Sequence, residues 1–172
     1  MTQTALKNYK QQSGFSLLEV LISLVVLSIG LIGMAGIQQA GVRNNHNALL
    51  HSQASMLAYE ITDMMRSNAA AVELGRYSRS TSPGNLHSCA TTETSAATNC
   101  TVDQIRDFHL TTWYDNLAKR LPQGTGAISC QDSNTADAFP CTPGSILTID
   151  VSWVETDIGG AEQMTFLTEV QL

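Results

Sequence analysis

The sequence predicts an α+β fold: a long N-terminal α-helix packed on a small antiparallel β-sheet, with one additional helix. Three observations carry this reading. Residues 15–74 contain no proline and space their apolar side chains as a helix does. Residues 102–121 repeat that spacing and stop at Pro122 and Gly124. From residue 126 onward apolar and polar residues alternate, as they do on antiparallel strands with one covered face.

Residues 1–14 are short, polar and basic, with Lys7 and Lys10. They lack the apolar centre of an ordinary signal peptide, and no small-x-small cleavage site follows the apolar run. That run is residues 15–37. Roughly 23 residues at about 1.5 Å each cross a hydrocarbon core of about 30 Å. The two lysines favour a cytoplasmic N-terminus, which puts the bulk of the chain on the far side of the membrane. Ser16, Ser23 and Ser28 are expected to bond back to helix carbonyls. Glu19 is then the one serious cost, about 2.5–3.5 kcal/mol for a carboxylate at the bilayer centre. A chain that keeps it there has a use for a partner. The bland alternative is a plain signal anchor whose carboxylate snorkels at the membrane edge.

Residues 38–75 continue the helix as an amphipathic one. Leu50, Leu57, Ile61, Met64 and Met65 recur at helical spacings, with Arg43, Asn44, Asn45, Gln53, Glu60 and Asp63 between them. A single helix from 15 to 74 would measure roughly 90 Å. Gly30, Gly33 and Gly36 recur every three residues, which suits close approach of helices or local melting.

Residues 76–172 form a globular head. Tyr77 to Thr101 reads as a long loop, rich in Ser, Thr, Asn and Ala. Residues 102–121 form the second helix, with Asp103 in its first turn and Lys119 and Arg120 in its last, as the helix dipole prefers. Its apolar face is Ile105, Phe108 or His109, Trp113, Leu117 and Leu121, with Trp113 as an anchor against the sheet or the long helix. Strands are expected at 126–131, 145–155 and 163–172. Leu147, Ile149, Val151 and Trp153 share one face of the second, and Met164, Phe166 and Val170 one face of the third. Gly159 and Gly160 turn the last hairpin.

The four cysteines, Cys89, Cys100, Cys130 and Cys141, form two pairs of equal spacing. None makes a C-x-x-C motif and no histidine stands at ligand spacing, so no zinc site is expected. An even count in an exported chain suggests disulfides and an oxidising compartment such as a periplasm. Three pairings exist on paper. The local one, Cys89–Cys100 with Cys130–Cys141, is the expectation, each contributing about 2–3 kcal/mol by chain entropy. Free buried thiols are the alternative.

Formal net charge is −6 and the sequence pI about 5.0. That argues against nucleic acid or anionic lipid as the main partner of the soluble part, since both need a basic footprint. No catalytic constellation emerges, and no cofactor is implied. His46 and His51 are five apart, off the metal-pair spacing; His87 and His109 stand alone. Asp132, Asp137, Asp150 and Asp157 do not follow calcium-loop spacing. A calcium site built from converging acidic loops stays open as a lesser alternative.

Residues 14–37, GFSLLEVLISLVVLSIGLIGMAGI, resemble the class III signal of type IV pilins and pseudopilins. That pattern is a short basic leader ending in Gly, then Phe, then an apolar helix with Glu at the fifth mature position. Gly14, Phe15 and Glu19 match it. The wording LLEVLISLVVLSIGLIGMAGIQ, and Trp113, Leu117 and residues 121–124 before a strand, are closer to minor pilins of the PilV type. The resemblance implies a pilin-like fold and no enzymatic activity. It implies that a prepilin peptidase cuts between Gly14 and Phe15, and that the new Phe15 amine is N-methylated. Glu19 would then pair with the Phe15 amine of a neighbouring subunit. The implied protein is a minor pilin, single-pass in the inner membrane with a periplasmic head, later at the pilus or cell surface of a Gram-negative bacterium. Its implied partners are other minor pilins, the major pilin and the inner-membrane pilus assembly platform. Its role would be to prime assembly within a tip complex, supporting adhesion and twitching motility. A pseudopilin of a type II secretion system is the near alternative. A signal-anchored periplasmic enzyme is the alternative from another class. Major pilins of this kind often carry a helix-breaking proline in the region of Gly30 to Gly36, and this chain has none.

Overall fold

The computed structural model describes residues 14–84, 89, 100–157 and 159–171. Residues 1–13 with Lys7 and Lys10, most of the first cysteine loop with His87, and residues 158 and 172 lie outside the described residues. The chain forms two units, one ending at Asn45 and one running from His46 to Leu172. Helix α1, Leu17–Ser67, contributes to both.

In the N-terminal unit every described residue is exposed. Apolar side chains point outward on all sides of the helix, a composition that suits lipid or protein surroundings.

The C-terminal unit is built around the later turns of α1. Leu50, Ala54, Leu57, Ala58, Ile61 and Met65 are buried, and they lie on one stripe. Ala54 and Ala58 complete the stripe that the larger side chains announce, and Met64 sits only at its margin. Thr62 is buried on the same face because its hydroxyl donates to the Ala58 carbonyl at 2.8 Å.

The reading of one helix to residue 74 needs correction. α1 ends at Ser67, and a separate short helix α2 spans Ala69–Glu73. Asn68 breaks the run with backbone angles φ −133° and ψ 51°. Its side chain supplies the reason. Asn68 Nδ2 donates to the Val102 carbonyl at 3.0 Å and toward the Tyr77 hydroxyl at 3.3 Å. A long-range bond that satisfies a buried amide outweighs one more helical residue. α2 then stops at Gly75, whose φ of +64° favours glycine. The Gly75 N–H bonds to the Val72 carbonyl and the Arg76 N–H to the Ala71 carbonyl, a Schellman closure.

Helix α3, Val102–Arg120, begins in a capping box. The Thr101 hydroxyl accepts from the Gln104 N–H, and the Gln104 side chain accepts from the Thr101 N–H. Leu110, Trp113 and Leu117 are its buried residues. Leu110 was not on the expected face, whereas Ile105, Phe108 and His109 are only partly buried. Leu121 ends the helix as its cap, and the Pro122 carbonyl accepts from the Val154 N–H.

The sheet is antiparallel, in the order β1 (Thr125–Gln131), β2 (Ile146–Asp157), β3 (Gly160–Gln171). β3 starts three residues earlier than the alternation indicates, because Gly160 (φ +123°) closes a tight hairpin pairing Asp157 with Gly160. Ile149 faces Ile128, Val151 faces Phe166, and Trp153 faces Met164. Leu147, Ile149, Val151 and Trp153 join the residues of α1 and α3 in one core. The architecture is α+β and pilin-like.

The segment read as a loop from Tyr77 is in part core. Tyr77 is 1 % exposed, and Arg79 bridges to Ile128 on the outer edge of β1. Disulfides join Cys89 to Cys100 and Cys130 to Cys141. The second ties the end of β1 to the loop that leads into β2.

Candidate functional site

The residues that the sequence singles out for function lie at the start of α1. Gly14, Phe15 and Ser16 precede the helix, so the Gly14–Phe15 peptide bond lies in exposed, non-helical backbone. Phe15 is 83 % exposed. Ser16 caps the helix: its hydroxyl accepts from the Leu18 N–H at 3.3 Å. The expectation that Ser16 bonds back to a helix carbonyl is thereby corrected: it stands before the helix and caps it. Ser23 and Ser28 do bond back, to the Glu19 and Leu24 carbonyls, each at 2.7 Å.

Glu19 sits in the first turn of α1. There the unpaired N–H groups favour a negative charge. The carboxylate shares a shallow groove with Phe15, Val20, Ser23, Leu24 and Leu27. Phe15 and Glu19 are therefore near neighbours at one end of an exposed apolar helix, one turn apart. Removal of residues 1–14 would put an amine and a carboxylate of opposite charge at that end.

Residues 9–35 match the family model of the prokaryotic N-terminal methylation motif. That match supports a type IV pilin-like protein or a pseudopilin. It spans the Gly14–Phe15 bond, Glu19 and the early turns of α1. No curated protein and no solved structure matches the chain. The motif and the α1 helix, long and apolar enough to cross a membrane, fit a membrane-anchored protein. Pilin-like proteins of this kind are typically structural rather than enzymatic.

The C-terminal unit offers two polar clusters besides. Among its described residues no group of three or more His, Cys, Asp or Glu side chains is arranged to hold a metal ion. In the first cluster the Tyr77 hydroxyl lies 2.8 Å from His109 Nδ1 and accepts from Asn68. Burial pushes the Tyr77 phenol up to about 12 and lowers His109 below the usual histidine value. Burial at His109 thus favours the neutral imidazole. In the second, Asp132 Oδ1 accepts from the Thr142 N–H and hydroxyl and from the Ser145 hydroxyl. Those bonds, led by the Thr142 N–H, hold its carboxyl below the ordinary carboxylate value. The Thr142 hydroxyl lies 2.8 Å from Asp137 Oδ2 as well, so its one proton is shared between two carboxylates that pin the loop closed by Cys130–Cys141.

His109 gives a pH prediction. Its native pKa is depressed, so its contribution to stability is full above the unfolded value of about 6.5 and falls as pH drops through it. The unfolded chain takes up the proton first. Urea midpoints followed by tryptophan fluorescence are expected to fall between pH 7.5 and 5.5. His109→Phe is expected to flatten that slope. An unchanged slope in the variant would place the acid sensitivity elsewhere.

The capping box has a sequence signal that finds it, Thr101-x-x-Gln104 just before an apolar run. Tyr77 has none: an isolated aromatic in a polar segment carries no period.

Proposed function

We propose that this chain is a minor subunit of a type IV pilus. Prepilin peptidase cuts between Gly14 and Phe15, and the freed Phe15 amine is methylated. Before assembly the protein resides in the inner membrane of a Gram-negative bacterium, crossing once, with residues 46–172 in the periplasm. The assembly platform then passes it into a complex with other minor pilins, from which the major pilin polymerises. Its contribution is to priming of the filament, and through the filament to adhesion and twitching motility. The single observation that carries this reading is the N-terminal methylation motif, whose described part, residues 14–35, leads into the exposed apolar turns that begin α1.

Glu19 gives the reading its physical content. In a low-dielectric filament core its carboxylate needs a cation, and the Phe15 amine of a neighbouring subunit supplies one, since methylation keeps the charge. Such a pair also fixes the axial register of neighbours, because a slip leaves both charges buried and unpaired.

Mass spectrometry of protein recovered from cells tests the processing step. The expected product begins at Phe15 and carries one methyl group on its amine. Recovery of the chain with its first fourteen residues intact would overturn the proposal. Deletion of the gene is expected to abolish surface pili and leave protein secretion intact; the reverse outcome would assign the chain to a type II secretion system.

A further inference from the structure

The outer edge of the sheet at β3 is open. Among the described residues no segment pairs with that edge, whereas the β1 edge is partly taken by Arg79, whose carbonyl accepts from the Ile128 N–H at 2.9 Å. β3 is also long, at twelve residues. Its core-facing row, Met164, Phe166 and Val170, packs against the core but is only partly covered. On the opposite face Leu167 is 61 % exposed. An edge of this kind is a ready template for another strand, and chains that avoid pairing usually blunt it with lysine, proline or a bulge. β3 contains no lysine, arginine or proline.

Charge then selects the partner. Glu162 and Glu169 are the charged residues of β3, and both are exposed. Glu162 stands directly opposite the buried Glu155 of β2. Glu155 is held by the Trp153 indole N–H at 2.9 Å and by His51 Nε2 at 3.7 Å, so its end of the sheet is acidic. A second copy of this chain fits poorly. Two β3 strands paired antiparallel about a two-fold axis bring four glutamates and no basic residue to one seam, with nothing on either strand to neutralise them. A strand with basic residues at those two places removes the repulsion.

We propose that β3 is a docking edge for an extended segment of a different protein, added antiparallel, with basic residues opposite Glu162 and Glu169 and apolar residues opposite Met164, Phe166 and Leu167. Read along the incoming segment, that is basic-x-apolar-apolar-x-apolar-x-basic. Main-chain bonds supply the affinity, and the two acidic positions supply the selectivity. The inference rests on the edge alone and does not require the filament reading.

The test uses the full chain in a neutral detergent. Two synthetic peptides of the stated pattern are added, with lysine or with glutamate at the basic positions and valine at the apolar ones. Amide hydrogen exchange is followed by mass spectrometry. The lysine peptide is expected to slow exchange across residues 160–171, with about tenfold tighter binding than the glutamate peptide. The double variant E162K/E169K changes exposed side chains only and is expected to reverse that preference. Failure of the lysine peptide to bind, protection mapping outside residues 160–171, or a preference that survives the charge swap would each overturn the proposal. Concentration-dependent protection of 160–171 without any peptide would overturn it in favour of self-association.

Discussion

Trp113→Ala is expected to destabilise the C-terminal unit by about 3–5 kcal/mol, the usual cost of emptying a buried aromatic site. Trp113 is fully buried, and its indole N–H donates to the Leu57 carbonyl at 2.9 Å, tying α3 to α1. Its ring also lies against β1: a Cβ built on Gly126 would come within 2.5 Å of it. One side chain thus joins both helices and the sheet, and the neighbouring backbone cannot easily collapse into the space it leaves. Domains of this size have roughly 5–15 kcal/mol in total, so the loss is a large fraction of the whole. The melting temperature is expected to drop by roughly 10–20 °C. Trp113→Phe keeps most of the ring and gives up the N–H bond, so it should cost less, about 1–3 kcal/mol. The second tryptophan, Trp153, is buried in the same core and reports unfolding by fluorescence in both variants. A melt of Trp113→Ala within a few degrees of the wild type would show that the three layers are held together without it.

Glu19→Ala is expected to separate folding from assembly. Glu19 lies in the N-terminal unit on an exposed helix, so the C-terminal unit should unfold within about 0.5 kcal/mol of the wild type. Incorporation into filaments should collapse. Breaking a buried pair by removing one member costs about 3–5 kcal/mol, a factor on the order of 10²–10³ in an equilibrium. Glu19→Gln keeps the shape and a hydrogen-bonding oxygen while removing the charge, and is expected to fail nearly as badly. The measurement is the amount of variant protein in sheared pili against the amount in membranes. Wild-type levels of Glu19→Ala in the sheared fraction would remove the ion pair from the account. Failure of the glutamine variant alone to show a defect would reduce it to a hydrogen bond.

The two variants mark two different kinds of legibility. Glu19 stands out in the sequence because a carboxylate inside an apolar run contradicts its surroundings, and the cost of such a contradiction is large enough to demand a cause. Trp113 stands out because it falls on an apolar face bounded by clear stop signals at Pro122 and Gly124. Its role as an anchor against the sheet or the long helix followed too, but not that it would touch both. The helical period says that a side chain is covered, not which element covers it, and here the answer is α1 and β1 together. The end of α1 shows the same limit. Residues 66–74 hold good helix formers, and local propensity would carry the helix through them. The break at Asn68 comes from a bond to Val102, thirty-four residues away in the chain.

By itself the sequence determined the elements whose signal is local and repeated: the apolar helix with its carboxylate, the second helix with its stop at Pro122 and Gly124, the alternating second strand and the α+β class. Periodicity and capping act within a few residues, so they can be read one window at a time. Only the tertiary structure decided where α1 stops, that Tyr77 and His109 share a part-buried hydrogen bond, and that among the described residues no segment pairs with the acidic outer edge of β3. Each of these depends on contacts between residues far apart in the chain. Their energies enter only once the backbone has brought the groups together, and no single stretch of sequence records them.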